Sequence, residues 1–248
     1  MWPIEERPVP TSNVPGEATS RTQPFPSWPK PFERQGIVEE VLSDFTLEVK
    51  NKVSKYIRNY VVGPLFTPPS TIGTIQLPGI AGGASWAGGA WNPFSGYLYI
   101  PSITSPTLVR LEVDTLFEFN KYVRAPPTPV MVDSLYLTKP PYGRITAIDM
   151  KTGDHKWMVP MGEGPKDHPM LHGLELPDLG WPFRTHILST ETVLFAAQEG
   201  GASKRAFSSR GNSVEVNSIE IDPSLKVLSL SDGHAIAKIP LPLSARGA

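Results

Sequence analysis

Proline sets the first limit on this chain: 28 of its 248 residues, roughly twice the ordinary share of ~5%. Each proline fixes φ and removes a backbone donor, so long helices are excluded where prolines are dense, and central strands must run between them. Over residues 1–32 they recur every few positions, at Pro3, Pro8, Pro10, Pro15, Pro24, Pro26, Pro29 and Pro31. Trp2, Phe25, Trp28 and Phe32 lie among them, and solvated linkers rarely carry such large apolar groups. Residues 1–36 therefore read as an irregular, proline-rich arm docked on the rest of the protein. At 40% hydrophobic and 9% aromatic, the chain carries enough apolar surface to bury a core despite its prolines.

The pattern changes after residue 37. Val38, Val41, Leu42, Phe45, Val49, Val53 and Ile57 are spaced by three or four, which predicts two helices within a helical insertion spanning residues 37–63. Asp44 or Thr46 caps the second, Glu48 lies in its first turn, Lys50, Lys52, Lys55 and Arg58 follow, and Gly63-Pro64 stops it. From residue 64 onward the chain reads as short strands between turns, over 71–77, 85–91, 96–100, 107–112, 144–149, 156–160, 185–188, 193–197, 225–230 and 235–239. Hairpins in series follow from that spacing. Four-stranded meanders repeated around an axis make a propeller, whereas a sandwich needs longer crossovers.

Charge and cysteine content exclude chemistry. With 23 basic and 24 acidic side chains the net charge is −1, too little field to draw in phosphate backbones or anionic lipid, so no nucleic-acid partner is expected. No cysteine is present, which removes disulfides, thiolate metal sites and a thiol nucleophile. No run approaches ~18 consecutive apolar residues, and residues 1–30 lack the basic-then-apolar order of a signal peptide. The basic stretch over 199–212 is short and reads as an exposed loop. His168 and His172 stand four apart, but Pro169 between them argues for a loop with backbone-bonded imidazoles rather than a helical metal site.

The most specific segment covers residues 144–157: a strand, a glycine turn, and a second strand ending in Trp157. Ala147 leaves room for the Trp157 ring on the neighbouring strand, and Asp149 can accept from turn amides. A degenerate copy without the tryptophan covers residues 225–239, and Trp2 reads as the last position of a third copy whose beginning is missing.

Residues 2–10 (WPIEERPVP), 63–70 (GPLFTPPS), 82–86 (GGASW), 139–149 (KPPYGRITAID), 162–169 (GEGPKDHP) and 179–182 (LGWP) resemble the membrane glucose dehydrogenase branch of the quinoprotein dehydrogenases over essentially the whole chain. The hairpin closing at Trp157 resembles that family's tryptophan-docking motif. The resemblance implies an all-β fold: part of an eight-bladed β-propeller with a short helical insertion, residues 64–248 forming blades. It implies pyrroloquinoline quinone (PQQ) as cofactor, a Ca²⁺ in the intact parent, a sugar or alcohol substrate of glucose type, and a quinone or cytochrome as electron acceptor. The parent is expected in the periplasm, with inner-membrane association open. In the family the catalytic aspartate and calcium ligands precede the segment matching Trp2, so no residue here is assigned to catalysis or metal binding; neither Asp149 nor Asp167 is the base. The cofactor candidates are Ser85 and Trp86, within the glycine-rich segment, and Trp181. Many relatives carry Asn where Ser85 stands.

A fragment from the C-terminal half, inactive without its N-terminal blades, is the expectation, and its open blade edges should make the isolated chain associate. A non-enzymatic propeller scaffold is the competing reading, but it gives no reason for GGASW together with LGWP. A proline-rich surface protein explains the first 32 residues and little else.

Overall fold

The computed structural model describes residues 2–84, 87–115, 121–200, 207–209, 212–214 and 223–243. The chain divides into two compact units, one of Met1–Gly83, Thr104–Pro140 and Pro165–Glu175, the other of Ala84–Ile103, Pro141–Gly164 and Leu176–Ala248.

The second unit holds two four-stranded sheets. The first comprises β1 (Ala90–Asn92), β2 (Tyr97–Ile103), β3 (Gly143–Asp149) and β4 (His155–Pro160); the second comprises β5 (Thr185–Ser189), β6 (Val193–Gln198), β7 (Ser224–Ser229) and β8 (Ala235–Pro240). In both, every strand pairs antiparallel with the next strand of the same sheet, so sequence order equals spatial order within each sheet, although residues 104–140 are inserted between β2 and β3. That up-and-down meander is the propeller blade the sequence predicts. Strand ends differ from expectation by up to a few residues; of the strand expected over 85–91, residues 85–86 lie outside the described residues and the observed strand begins at Ala90.

The two sheets repeat one turn at an offset of 80 residues (Ser229 against Asp149). Asp149 N–H donates to Asp154 O at 2.9 Å and Gly153 N–H to Asp149 O at 2.6 Å; the counterparts are Ser229 to His234 O at 2.9 Å and Gly233 to Ser229 O at 3.0 Å. Gly153 and Gly233 adopt φ of 77° and 75°, a left-handed conformation that only glycine enters at no steric cost. The side chains repeat as well: Lys151 N–H donates to Asp149 Oδ1 at 2.9 Å, and Ser231 N–H to Ser229 Oγ at 3.3 Å.

Contact between the blades follows from that turn. The Trp157 indole N–H donates to the Leu230 carbonyl at 3.0 Å, and the Tyr99 hydroxyl reaches the same oxygen at 3.3 Å. The ring lies so close to Gly233 that a Cβ there would stand 2.8 Å from Trp157 Cε3. Tyr99, Ile145, Ala147, Trp157 and Met161 of the first blade form one core with Leu194, Ala196 and Leu228 of the second. Ala147 pairs with both Tyr99 and Trp157 across the sheet, which is where its small side chain is needed. Nearer the start of each blade, buried Asn92 donates to Ser189 Oγ at 2.9 Å and Thr190 O at 2.7 Å.

In the first unit the arm departs from expectation, because Ile4–Pro8 and Thr22–Pro26 form a two-stranded antiparallel ribbon. Its prolines escape the ladder by parity. Ser27 N–H donates to Pro3 O and Val9 N–H to Arg21 O, so the hydrogen-bonded pairs are Glu5 with Phe25 and Arg7 with Gln23, while Pro8, Pro24 and Pro26 occupy the alternate, non-bonded pairs. Of the two helices expected in residues 37–63, one forms over Leu47–Ile57, capped by the Thr46 hydroxyl accepting from Val49 N–H at 3.1 Å. Asp44 pairs instead with Lys139 at 2.7 Å. The other shrinks to a single 3₁₀ turn, Glu39–Val41, since Leu42 bridges Thr138 and Ser43 N–H donates to Leu137 O, and backbone committed to a strand-like bridge cannot continue a helix. A three-stranded sheet of Thr74–Gln76, Thr107–Val109 and Thr128–Pro129 and the antiparallel pairs Leu111–Val113 with Tyr122–Arg124 and Met131–Val132 with Leu135–Tyr136 also lie in this unit.

Trp157→Ala is expected to destabilise the protein by ~3–5 kcal/mol through the cavity it leaves, and Trp157→Phe by only ~1 kcal/mol, since Tyr99 still satisfies the Leu230 carbonyl. Urea unfolding monitored by circular dichroism checks both, and equal losses would contradict the packing described.

Candidate cofactor-binding site

Trp181 is held by its backbone. Leu179 N–H donates to Glu163 O at 2.8 Å, Gly180 N–H to Gly162 O at 3.0 Å and Trp181 N–H to Met161 O at 2.7 Å, while Tyr142 N–H donates to Leu179 O at 2.8 Å. The LGWP segment is thereby stitched to the residues on either side of the first blade's β3–β4 hairpin. Glycine permits this approach: side chains at Gly143 or Gly180 would collide with the facing backbone, and a Cβ at Gly162, where φ is 84°, would lie 2.7 Å from Trp181 Cδ1. The buried Gln198 amide, at the end of β6, donates to Trp181 O at 2.8 Å. The indole is half-buried, with the Phe183 ring 6.4 Å away. A rigid backbone carrying a part-exposed indole is what stacking against a flat conjugated ligand requires.

Ser85 and Trp86 lie outside the described residues, so Trp181 is the cofactor candidate that the structure places. The glycines leading to them are described. Gly82 takes φ of 75° and its N–H donates to Gly79 O at 2.8 Å, while Gly83 lies against Glu33. Glu33, only 5% exposed, and Gln198 carry no signal in the sequence that singles them out: each stands in a short polar run, Glu33-Arg34-Gln35 and Gln198-Glu199, that reads as surface. Gly143 and Gly162 are legible as members of the KPPYGRITAID and GEGPKDHP strings.

Other polar candidates are occupied structurally. Asp149 accepts the Lys151 amide and ion-pairs Lys156 at 3.2 Å; the Lys151 backbone bond first, and Lys156 after it, hold its carboxyl below the usual carboxylate range. Asp232 in the repeated turn is depressed to about 2 by hydrogen bonds from Ser229 and His234. His168 uses both ring nitrogens, Nδ1 accepting from Met170 N–H at 3.2 Å and Nε2 donating to Asp133 O at 2.8 Å. His172 follows the 3₁₀ turn Pro169–Leu171, so the pair shares no helical face. No cluster of His, Cys, Asp or Glu suited to a metal occurs among the described residues, and no helix among them is long and apolar enough to cross a membrane. Much of the basic stretch over 199–212 lies outside the described residues.

Residues 1–221 match the PQQ family described as "Glucose/ethanol/alcohol dehydrogenase, beta-propeller domain". The chain is 26% identical, over 98% of its length and 30% of the relative's, to a quinate/shikimate dehydrogenase (quinone) of Acinetobacter baylyi. It is 28% identical to the glycerol dehydrogenase large subunit of Gluconobacter thailandicus, over 73% of this chain and 29% of that protein. The chain thus spans under a third of the length of the curated relatives it matches.

Because the folded state lowers the Asp232 pKa, the stabilisation from that carboxylate is fully present above the unfolded value of ~4 and disappears as pH falls through about 2. Asp232→Asn should therefore unfold earlier than the parent sequence at pH 7, with the gap closing between pH 4 and 2; a gap independent of pH, by thermal unfolding, would contradict the assignment.

Proposed function

Since the chain belongs to the PQQ-dependent glucose/ethanol/alcohol dehydrogenase β-propeller family, we propose that it builds one wall of the quinone pocket in an enzyme oxidising a sugar or other alcohol hydroxyl to the carbonyl. The observation that carries this reading is Trp181, whose backbone is fixed by both blades of its unit while part of its indole stays open. In this reading Trp181 supports one face of the planar cofactor. Ser85 hydrogen-bonds its carboxylate or carbonyl oxygens, with one group fewer than an asparagine offers, and Trp86 adds a second aromatic contact. PQQ bound there would supply the hydride-accepting chemistry, and the share of Trp181, Ser85 and Trp86 would be to hold, orient and polarise it.

The catalytic base and the Ca²⁺ ligands are assigned to blades outside this sequence, and residues 1–36 and 37–63 to embellishments of the propeller domain whose blades lie within 64–248. The names of relatives, quinate/shikimate and glycerol dehydrogenases, support a reading in which the substrate class extends beyond glucose to other alcohols and polyols. A quinone or cytochrome takes the electrons onward, in the periplasm.

Titrating PQQ into the purified chain should quench tryptophan fluorescence, and Trp181→Ala should weaken the affinity roughly tenfold, as loss of a stacking contact of ~1.4 kcal/mol implies. With PQQ and Ca²⁺ added, the chain alone should not reduce a dye with glucose, glycerol or quinate. Turnover by the chain alone would overturn the placement of the base, and PQQ binding unaltered by Trp181→Ala would overturn the pocket wall.

A further inference from the structure

Glu33 is a carboxylate with 5% exposure in a segment otherwise rich in proline and aromatic residues. Its Oε1 accepts from Arg34 N–H at 2.7 Å and from the Thr104 hydroxyl at 2.8 Å. Arg34 closes the network, with Nη1 donating to Thr104 Oγ1 at 3.0 Å and Nη2 to Pro140 O at 2.8 Å. Three separate stretches of the first unit are therefore fastened at one buried point. A buried carboxyl group held by hydrogen bonds in this way is costly to uncouple, and such networks favour one geometry over near alternatives.

What that point supports is the glycine-rich turn. A Cβ on Gly83 would lie 2.8 Å from Glu33 Cγ and 3.0 Å from Glu33 Cβ, so the Gly83 backbone rests directly on the Glu33 side chain. On the turn's other side Gly79 abuts the Ser105 carbonyl and the Thr107 side chain closely enough to exclude any Cβ. Between them the Gly82 N–H to Gly79 O bond closes the turn.

We infer that Glu33 is a positioning residue: the Glu33–Arg34–Thr104 network sets the height of the Gly79–Gly83 turn, which directly precedes the cofactor candidates Ser85 and Trp86 in the sequence. The link to the cofactor rests on the quinone-pocket reading above; the mechanical coupling does not, and the two are separated by measurement.

Hydrogen exchange followed by mass spectrometry on the full chain decides the coupling. Glu33→Ala should raise exchange at the amides of residues 79–84 by roughly tenfold or more, a local opening, while peptides covering 143–160 keep their rates. Glu33→Gln, which keeps the side-chain length and an acceptor oxygen, should restore most of the protection. Gly83→Ala should produce the same local loss, and combining it with Glu33→Ala should give less than the sum, because truncation removes the Cγ that the new methyl meets. Uniform acceleration across the chain, no change at 79–84, or strict additivity would each overturn the inference. PQQ titration of the same variants then tests the link: if the chain binds PQQ and Glu33→Ala leaves its affinity unchanged, the coupling stands and its cofactor role falls. If no variant binds PQQ, the pocket reading falls and the exchange result still decides the positioning role.

Discussion

The hydrogen bond from the Trp157 indole to the Leu230 carbonyl, with the ring lying on Gly233, is the constraint on which the blade pair depends. A four-stranded meander buries little when alone, and its sheet faces must be covered by a neighbour. Here one large ring spans the gap and the rest of the interface falls in around it. Tyr99 stacks 5.5 Å from it, Ala147 yields the space, and Leu194, Ala196 and Leu228 close the far side. Gly233 is required twice at this one position, by its positive φ and by the proximity of the ring.

The same logic of close backbone approach builds the candidate site. Gly143, Gly162, Gly164 and Gly180 lie where side chains would collide with the facing segment, and removing those side chains lets main-chain hydrogen bonds hold the LGWP segment. Stiffness of the Trp181 backbone is thus a consequence of blade geometry. Backbone ordering entropy at this segment is therefore spent in folding.

Legibility from sequence followed how local each signal is. The blade strands, the Trp157 hairpin and its Trp-less copy were readable because each is encoded within about fifteen residues by alternation, a glycine turn and a small-large pair. The helix over Leu47–Ile57 was readable for the same reason. In the proline arm the count of prolines suggests an irregular chain, but their parity, with Pro8, Pro24 and Pro26 all at non-bonded positions, decides that a ribbon survives. The helix expected around Val38–Leu42 does not form because Thr138, far along the chain, takes Leu42 into a bridge. Glu33 and Gln198 were invisible since their importance lies in partners distant along the chain, Thr104 for one and Trp181 for the other.

The two copies of the turn separate what the backbone requires from what the interface requires. Serine replaces aspartate between Asp149 and Ser229, yet the amide bond two residues on survives. Ala237 stands opposite Val227 where Trp157 stands opposite Ala147, yet the bulged register and the glycine at positive φ are the same. The fold of the hairpin is therefore set by glycine and main-chain bonding, and the tryptophan is an addition that converts a turn into a dock. Consistent with that division, β4 carries Trp157 at 9% exposure against the next blade, whereas β8, without a ring to insert, is exposed along its whole length.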